Sequence, residues 1–366
     1  MLWRRIHIRF YWNLGLGALS CLLSHLLRRP IVWGLPISVM MEPTNRCNLR
    51  CPLCPSGAGT LTRSIGEMTL SDYRKILDAI GPQHRRIYLW NQGEPLLNDS
   101  LPDMVRLAHE RGIHTVTSTN GQLLGRGDMA KRLVQSGLDA IILSVDGLTA
   151  ETYRKYRIGG ELQPVIFGMQ ALRRERQILR RSRPKIILQW LPMKHNEHEL
   201  PLLRSAAREW GADRIEIKTT QVYTEKQAER FLPRDPRFSR YRRAGEQWET
   251  RRRYQTCHRL WFSCQIDWDG TVVPCCFDKN EEFTVGNIHQ DSFAKIWRGE
   301  KFQRFRGLLL TRGRVPDMCR NCTEGLETFY VSLRRRPMAS EAKRGTALAL
   351  PTLNKTPVSH EEKADT

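Results

Sequence analysis

Acidic side chains are scarce in this chain. Its 366 residues hold 38 Asp and Glu against 59 Lys and Arg, a formal net charge of +21. Such a field favours a polyanion: nucleic acid, an anionic lipid surface or an acidic substrate. A solvated basic surface is the plain alternative. Also missing is any basic run interleaved with aromatics, as a nucleic-acid platform would need. The arginines lie along helices instead, as at Arg173, Arg174, Arg176, Arg180, Arg181 and Arg183. Nucleic acid is therefore the less favoured partner. No apolar run reaches the ~20 residues of a spanning helix. The nearest, Leu14 to Leu27, sits between a stretch of mixed cations and aromatics (Met1 to Trp12) and Arg28-Arg29-Pro30. A convincing small-x-small cleavage site is lacking, which weighs against a secretory signal. Residues 1–34 read as an amphipathic helix on an anionic membrane surface, or as a helix packed on the body of the protein.

The ten cysteines fall in two groups, 47/51/54 and 257/264/275/276/319/322, with Cys21 alone. Such clustering points to metal ligation rather than a disulfide framework. It places the protein in the cytosol, or peripheral on the inner face of the cytoplasmic membrane. The first group is Cys47-Asn48-Leu49-Arg50-Cys51-Pro52-Leu53-Cys54, and no Cys or His follows closely to complete four ligands. A structural zinc ion needs four, and an iron–sulfur cube wants one per iron. Three thiolates on one tight loop suggest a cube with one iron left open to a non-protein ligand. A zinc knuckle or three unrelated thiols is the alternative.

From Pro36 to Lys218 strand-like and helix-like segments alternate. Strands are expected at 37–41, 87–90, 113–117, 140–145, 186–191 and 215–218. Helices are expected at 70–80 (capped by Thr69 or Ser71 and stopped by Gly81-Pro82), 101–111, 128–136, 165–181 and 197–210. Six βα units predict an α/β fold with a parallel sheet. Six are too few to close an eight-stranded barrel, so a partial (βα)6 TIM-like barrel is expected. Ligands in such sheets sit at the carboxyl ends of strands. The polar motifs follow the strands: Asn91-Gln92-Gly93-Glu94-Pro95, Thr117-Ser118-Thr119-Asn120-Gly121 and Ser144-Val145-Asp146-Gly147. Lys194 and Asn196 follow the fifth strand without an assignable role.

The C-x3-C-x2-C loop after a strand resembles the cluster loop of the radical S-adenosylmethionine (radical SAM) superfamily. In that family the three thiolates hold a 4Fe-4S cluster whose open iron is chelated by SAM. Leu53 stands where an aromatic is usual. Gln92-Gly93-Glu94-Pro95 is similar to the family's Gly-Gly-Glu-Pro element, with Gln92 in place of the first Gly. The Thr-Asn-Gly and Ser-x-Asp-Gly stretches are similar to others of its SAM-binding elements. The resemblance implies that Cys47, Cys51 and Cys54 hold the cluster. It implies that Gly93, Glu94, Pro95, Asn120, Ser144 and Asp146 hold SAM.

Residues 223–256, rich in charge, read as a linker between a core at 35–222 and a second module at 257–333, with a helix around 224–231. The module offers Cys257, a hairpin around Asp269-Gly270, Pro274-Cys275-Cys276, Gly286-Asn287-Ile288, a helix near Ser292–Arg298, and Cys319-Arg320-Asn321-Cys322. A zinc ribbon is one reading. The pattern is similar to the SPASM or Twitch extension of radical SAM enzymes. That resemblance implies one auxiliary 4Fe-4S cluster, held by Cys257, Cys275, Cys319 and Cys322. Cys276 is an alternative to Cys275, and Cys264 is left over. Residues 334–366 show no apolar period and read as a disordered tail.

Together these imply an enzyme that reductively cleaves SAM to a 5′-deoxyadenosyl radical. The radical abstracts hydrogen from a peptide or small-molecule substrate, with an auxiliary cluster assisting a net oxidation. A flavodoxin or ferredoxin would supply electrons. An RNA-modifying radical SAM enzyme and a non-catalytic zinc-binding scaffold are the alternatives.

Overall fold

A computed structural model describes residues 2–81, 84–251, 257–311, 315–322 and 328–333, with side chains from Ile8 onward in the first helix. The expected tail, 334–366, lies outside the described residues. Six parallel strands follow in chain order: β1 (Ser38–Met41), β2 (Arg86–Leu89), β3 (His114–Thr119), β4 (Ala140–Ser144), β5 (Lys185–Trp190) and β6 (Arg214–Ile217). The helices up to β6 are α1 (Leu2–Leu27), α2 (Pro55–Ala58), α3 (Leu70–Ile80), α4 (Leu101–Glu110), α5 (Met129–Gln135), α6 (Ala150–Tyr156), α7 (Leu162–Ile178) and α8 (Leu203–Trp210). Beyond β6 come α9 (Glu225–Phe231), β7 (Tyr241–Ala244), β8 (Gln247–Thr250), β9 (Ser263–Ile266), β10 (Thr271–Val273) and β11 (Gly286–Asn287). The chain then forms α10 (Phe293–Arg298), α11 (Glu300–Leu310), α12 (Asp317–Arg320) and β12 (Phe329–Ser332).

The expected (βα)6 partial barrel is the centre of a wider sheet, ordered β11-β10-β9-β1-β2-β3-β4-β5-β6-β12. The second module is not a separate sheet. Its strand β9 pairs parallel to β1, from Ser38 opposite Ser263 to Met41 opposite Ile266. β10 returns antiparallel on β9 through the expected turn, where Gly270 takes a φ of 84°. β12 covers the far edge, antiparallel to β6. Both edges of the parallel core are thus occupied, which removes the exposed ladders of an open sheet.

The strands alternate. Val39, Met41, Ile87, Leu89, Ile141, Leu143, Ile186 and Leu188 are buried to within 1 %. They meet a helix layer through residues such as Tyr73 and Ile76 of α3, Met104 and Val105 of α4, and Met169 and Leu172 of α7. Truncating one such Leu or Ile to Ala costs about 2–5 kcal/mol. The intervening residues, among them Met40, Tyr88, Ser118 and Gln189, are only half-buried. A barrel that stops short of closure leaves its concave face accessible, and that face leads to the carboxyl ends of the strands.

Local chemistry explains the element limits. The Thr69 hydroxyl accepts from the Asp72 N–H and starts α3. Gly81 ends it at a φ of 80°. The helix expected at 197–210 splits: Glu197–Leu202 is a 3₁₀ turn and only Leu203–Trp210 is α-helical. Pro201 lacks the N–H that an α-helix would use there. Helix α6 was invisible to periodicity because it is short, yet Thr149 and Thr152 form a reciprocal cap at its start. The linker expected at 223–256 is instead largely structured. The expected helix is present as α9, and β7 pairs with β8. Phe231, Leu232 and Tyr241 pack with Leu49, Cys51 and Leu53 of the cysteine loop.

The N-terminal segment is helical as expected, and its apolar part is longer than the Leu14 to Leu27 run. From Ile8 to Leu27 it is a 20-residue helical stretch long and apolar enough to cross a membrane by length and composition. Its apolar side chains face outward and its small polar ones face the protein.

Candidate active site

The cysteine loop leaves β1 and is pinned at its start. Thr44 Oγ1 donates to the Gly66 carbonyl at 2.7 Å, and the Asn45 side chain bonds both Ser64 O and Gly66 N. Glu42, fully buried, receives Arg63 bidentately at 2.6 and 2.7 Å and accepts from Gln92 N at 3.1 Å. Gly93 explains the Gly-Glu-Pro signal. It adopts a φ of 76°, and a Cβ there would fall 2.5 Å from Arg46 O and 2.6 Å from Thr44 O. Only glycine lets the β2 turn lie this close against the cysteine loop. The next residue, Glu94, donates its N–H to Arg46 O at 2.7 Å.

Glu94 is 1 % exposed. Its carboxylate accepts from Thr119 Oγ1, Leu96 N and Asn120 N. Burial pushes its pKa up, and those three donors oppose the rise. Pro95 opens the 3₁₀ turn that carries the Leu96 N–H. Asn120 donates from Nδ2 to Asn48 Oδ1 at 2.7 Å, so the β3 end reaches the cysteine loop. The structure therefore gathers Gly93, Glu94, Pro95 and Asn120 around residues 44–48. Ser144 and Asp146 lie at the end of β4. The Ser144 hydroxyl accepts from Gln189 Nε2 at 3.5 Å. Asp146, fully buried at a φ of 61°, accepts Arg157 Nε at 2.9 Å, Arg157 Nη2, and Leu191 N at 2.7 Å.

Arg157 and Gln92 were missed by sequence reasoning. Arg157 binds Asp146 and also reaches Cys51 Sγ from Nη1 at 3.8 Å. Burial raises the Asp146 carboxyl, and the guanidinium, with two N–H groups in contact, opposes the rise. Nothing in the sequence marks Arg157 among so many arginines. Gln92 replaces the family's first Gly, and its Oε1 lies 4.0 Å from Cys54 Sγ and 3.5 Å from Ser56 Oγ. Asn196 is a buried clamp, donating to the Asp146 and Leu191 carbonyls, and Lys194 bonds Glu229 O.

The three loop thiols are near enough to act electrostatically on one another. Burial pushes Cys47 up to about 12, with Glu94 and the other two thiols adding to the rise. Burial likewise raises Cys51, against the pull of Arg157. Sulfurs in such a setting ionise when a cationic centre replaces their protons. No three Cys, His, Asp or Glu side chains among the described residues are drawn together as around a single ion. A zinc ion would hold thiolates at about 2.3 Å, whereas a four-iron cube keeps its ligands apart by its own width. Three thiols on one loop, Cys47, Cys51 and Cys54, match three of the four ligands that a four-iron cube needs.

The second group comes from separate elements of the chain. Cys275 and Cys276 are adjacent and hydrogen-bonded; that bond, with Arg259 and Lys279, lowers Cys276 to about 6, while the same bond and burial raise Cys275. Cys322 lies near Arg240, and Cys257 near Cys21. Cys264 is 3 % exposed on β9, and burial pushes its thiol up to about 12, as expected of a core residue. As with the first loop, no three of Cys257, Cys275, Cys319 and Cys322 are drawn together as around a single ion among the described residues. The loop of Cys319 and Cys322 is tied to the segment read as a linker: Arg240 donates to Asn321 O, and the Tyr241 hydroxyl to Asn321 Oδ1.

One cavity of ≈ 1740 Å³ joins the two groups, with Cys54 and Pro55 on one wall and Cys319 and Asn321 on another. Lys279, Tyr223 and Trp248 also line it. A network centred on the buried Arg63 side chain ties the walls together. Arg63 donates to Lys279 O at 2.8 Å and lies 4.0 Å from Asp267, while Asn280 accepts from Thr62 N.

Comparison with known proteins agrees with this architecture. Residues 41–178 match the radical SAM superfamily model, and residues 257–323 match the SPASM iron–sulfur cluster-binding domain. The PqqA peptide cyclase of Xanthomonas campestris pv. campestris (strain 8004) is 27% identical over 315 residues, covering 78% of this chain and 79% of the relative. A cofactor-modifying protein for a tungsten-containing aldehyde ferredoxin oxidoreductase, from Pyrococcus furiosus, is 27% identical over 314 residues, covering 77% and 86%. Streptococcus suis SuiB shares the fold, with a TM-score of 0.57 at 15% identity over 77% of this chain and 74% of its own. The radical SAM domain binds a 4Fe-4S cluster and SAM, and the SPASM domain binds auxiliary iron–sulfur clusters. The chain belongs to the radical SAM superfamily and carries a SPASM domain at its C-terminal side.

Proposed function

We propose that this protein is a radical SAM enzyme that oxidises a peptide, taking hydrogen from a segment laid in the cavity between Cys54 and Cys319. Bound at the first loop, the cluster and SAM supply a 5′-deoxyadenosyl radical. Cys47, Cys51 and Cys54 are the proposed ligands. Gly93, Glu94, Pro95, Asn120, Ser144 and Asp146 are the proposed SAM contacts. Arg157 acts as a positioning residue, holding Asp146 against Cys51. Gln92 caps the open side of Cys54. One auxiliary 4Fe-4S cluster on Cys257, Cys275, Cys319 and Cys322 is the proposed acceptor of the second electron.

The observation carrying the peptide reading is the cavity. At ≈ 1740 Å³ it exceeds the ~300–1,000 Å³ typical of small-molecule sites. Its walls mix apolar groups (Val222, Trp248, Met318) with charged ones (Glu225, Arg242, Arg320), as a chain segment needs. Relatives named for peptide chemistry support the same reading: PqqA peptide cyclase, and SuiB, solved with its precursor peptide SuiA.

The test is anaerobic reconstitution, then dithionite and SAM, with short peptides encoded beside the gene as probes. The reading expects 5′-deoxyadenosine together with a peptide lighter by two hydrogens. Unchanged peptide masses beside abundant 5′-deoxyadenosine would reject the peptide and keep the enzyme class. Zinc in place of iron and sulfide would reject the enzyme class itself.

A further inference from the structure

Helix α1 is inside-out for a surface helix. Its inward face is small and polar: Asn13, Gly17, Ser20, Cys21 and Ser24 recur at helical spacing, and the last four are buried. This face bonds the returning strap 31–35. Asn13 pairs with both Leu35 N and Leu35 O at 2.8 Å. Ser20 Oγ accepts from Trp33 N at 3.0 Å, and Ser24 Oγ accepts from Ile31 N at 2.8 Å. Gly34 fits against the helix so closely that a Cβ would fall 2.9 Å from Asn13 O. The strap is fixed in turn to the body, where Trp261 and Trp297 donate to the Ile31 and Gly34 carbonyls at 2.9 Å.

The outward face is apolar. Ile8, Trp12, Leu19, Leu22 and Leu26 form one stripe at i, i+4, i+11, i+14 and i+18, with exposures of 68%, 71%, 46%, 57% and 68%. A soluble helix turns such a stripe to the core; here hydrogen bonds hold it to solvent. Exposed cations stand at both ends, Arg9 at one and Arg28 with Arg29 at the other.

The same end of the protein carries more positive charge. The Phe10 ring lies 5.6 Å from the Arg85 guanidinium, just ahead of β2. Arg86, exposed, stands beside Arg85 near His114, while the exposed Arg183 there is paired with Asp139. These mark the amino ends of the parallel strands. The cysteine loop and Gly93–Pro95 mark the carboxyl ends.

We propose that α1 docks this protein onto an anionic lipid bilayer, lying in its surface with the stripe from Ile8 to Leu26 in the acyl boundary and the reaction mouth facing away. Aromatic and aliphatic groups suit that boundary, and arginines at its margin suit acidic headgroups. A second copy of the chain is a poorer occupant. Antiparallel pairing would set Arg9 of one helix against Arg28 and Arg29 of the other. With the mouth turned from the lipid, the peptide substrate reaches the cavity from the aqueous side.

Flotation of the full, reconstituted chain with vesicles tests this. Mixed phosphatidylglycerol–phosphatidylcholine vesicles should carry the protein, and pure phosphatidylcholine should carry at least tenfold less. The variant Leu19→Ser/Leu22→Ser/Leu26→Ser should lose binding to both. Arg28→Glu/Arg29→Glu should lose binding to the acidic vesicles about tenfold at low salt, a difference that shrinks as salt screens it. Both variants should keep 5′-deoxyadenosine formation, which shows that they fold. Equal flotation of the triple variant would overturn the proposal. So would a dimer in sedimentation that the triple variant dissociates while no form floats.

Discussion

Cys47, Cys51 and Cys54 leave one loop, within reach of one another whatever the rest of the chain does. Cys257, Cys275, Cys319 and Cys322 leave separate turns, and their approach depends on distant segments. Arg240 and Tyr241 hold the loop of Cys319 and Cys322. Arg63 holds the Lys279 turn beyond Cys275. The first set is specified by spacing and the second by tertiary packing. Damage to the first should stay local, whereas the second should fail whenever its supports fail.

The sharpest way to break this comparison is to remove the sulfurs. Cys51→Ala should abolish 5′-deoxyadenosine formation while the auxiliary iron remains. Cys319→Ala/Cys322→Ala should do the reverse, keeping SAM cleavage and losing auxiliary iron and peptide product. Iron and sulfide analysis with turnover on each variant decides it. If either variant loses both centres, the two sets are not independent.

A second contrast uses the buried arginines. Arg157→Ala leaves Asp146 buried and unpaired, and Arg63→Ala does the same to Glu42. Each should lower stability by about 3–5 kcal/mol, read from urea unfolding. Their cofactor effects should differ. Arg157→Ala should weaken SAM binding at the first loop, and Arg63→Ala should deplete auxiliary iron first. Matching losses at both centres would blur the distinction.

Acid should act on the seam between the two regions. His84 precedes β2, and its ring meets Phe293 of α10 edge-on at 5.7 Å. Burial lowers its pKa from the ordinary 6.5 to about 4. The unfolded chain therefore takes up the proton first as pH falls. Stability is full above pH 6.5 and falls by about 3 kcal/mol by pH 4. Urea midpoints across that range should show the slope, and His84→Phe should flatten it.

The smallest effect is expected at Gln92. Gln92→Ala removes a weak contact to Cys54 and one to Ser56. It should lower the rate of SAM cleavage less than tenfold, about 1 kcal/mol. The auxiliary iron should be untouched.

Much of the fold was legible because βα units announce themselves locally: β4 at 140–144 and α3 at 70–80 follow from apolar period and caps. The first loop was legible for the same reason. The edge strands were not. β9 is only four residues, Ser-Cys-Gln-Ile, and its partner, β1, lies far back in the chain; β12 is likewise defined by its pairing with β6. Hairpin β7–β8 is mostly polar, so no alternation marks it. Arg157 and Gln92 owe their importance to what folding places beside them. The N-terminal helix was read from composition alone, which could not reveal which way its faces turn.

The parallel pairing of β9 with β1 has one more consequence. The loop of Cys47, Cys51 and Cys54 leaves β1 and Cys275 follows β10 in the same hydrogen-bonded sheet, and Arg63 ties Glu42 at the base of that loop to the Lys279 turn. Strand pairing runs unbroken from β1 through β9 to β10. The gap an electron must cross is then set once, when the chain folds, and solvent viscosity should not alter the rate of crossing it.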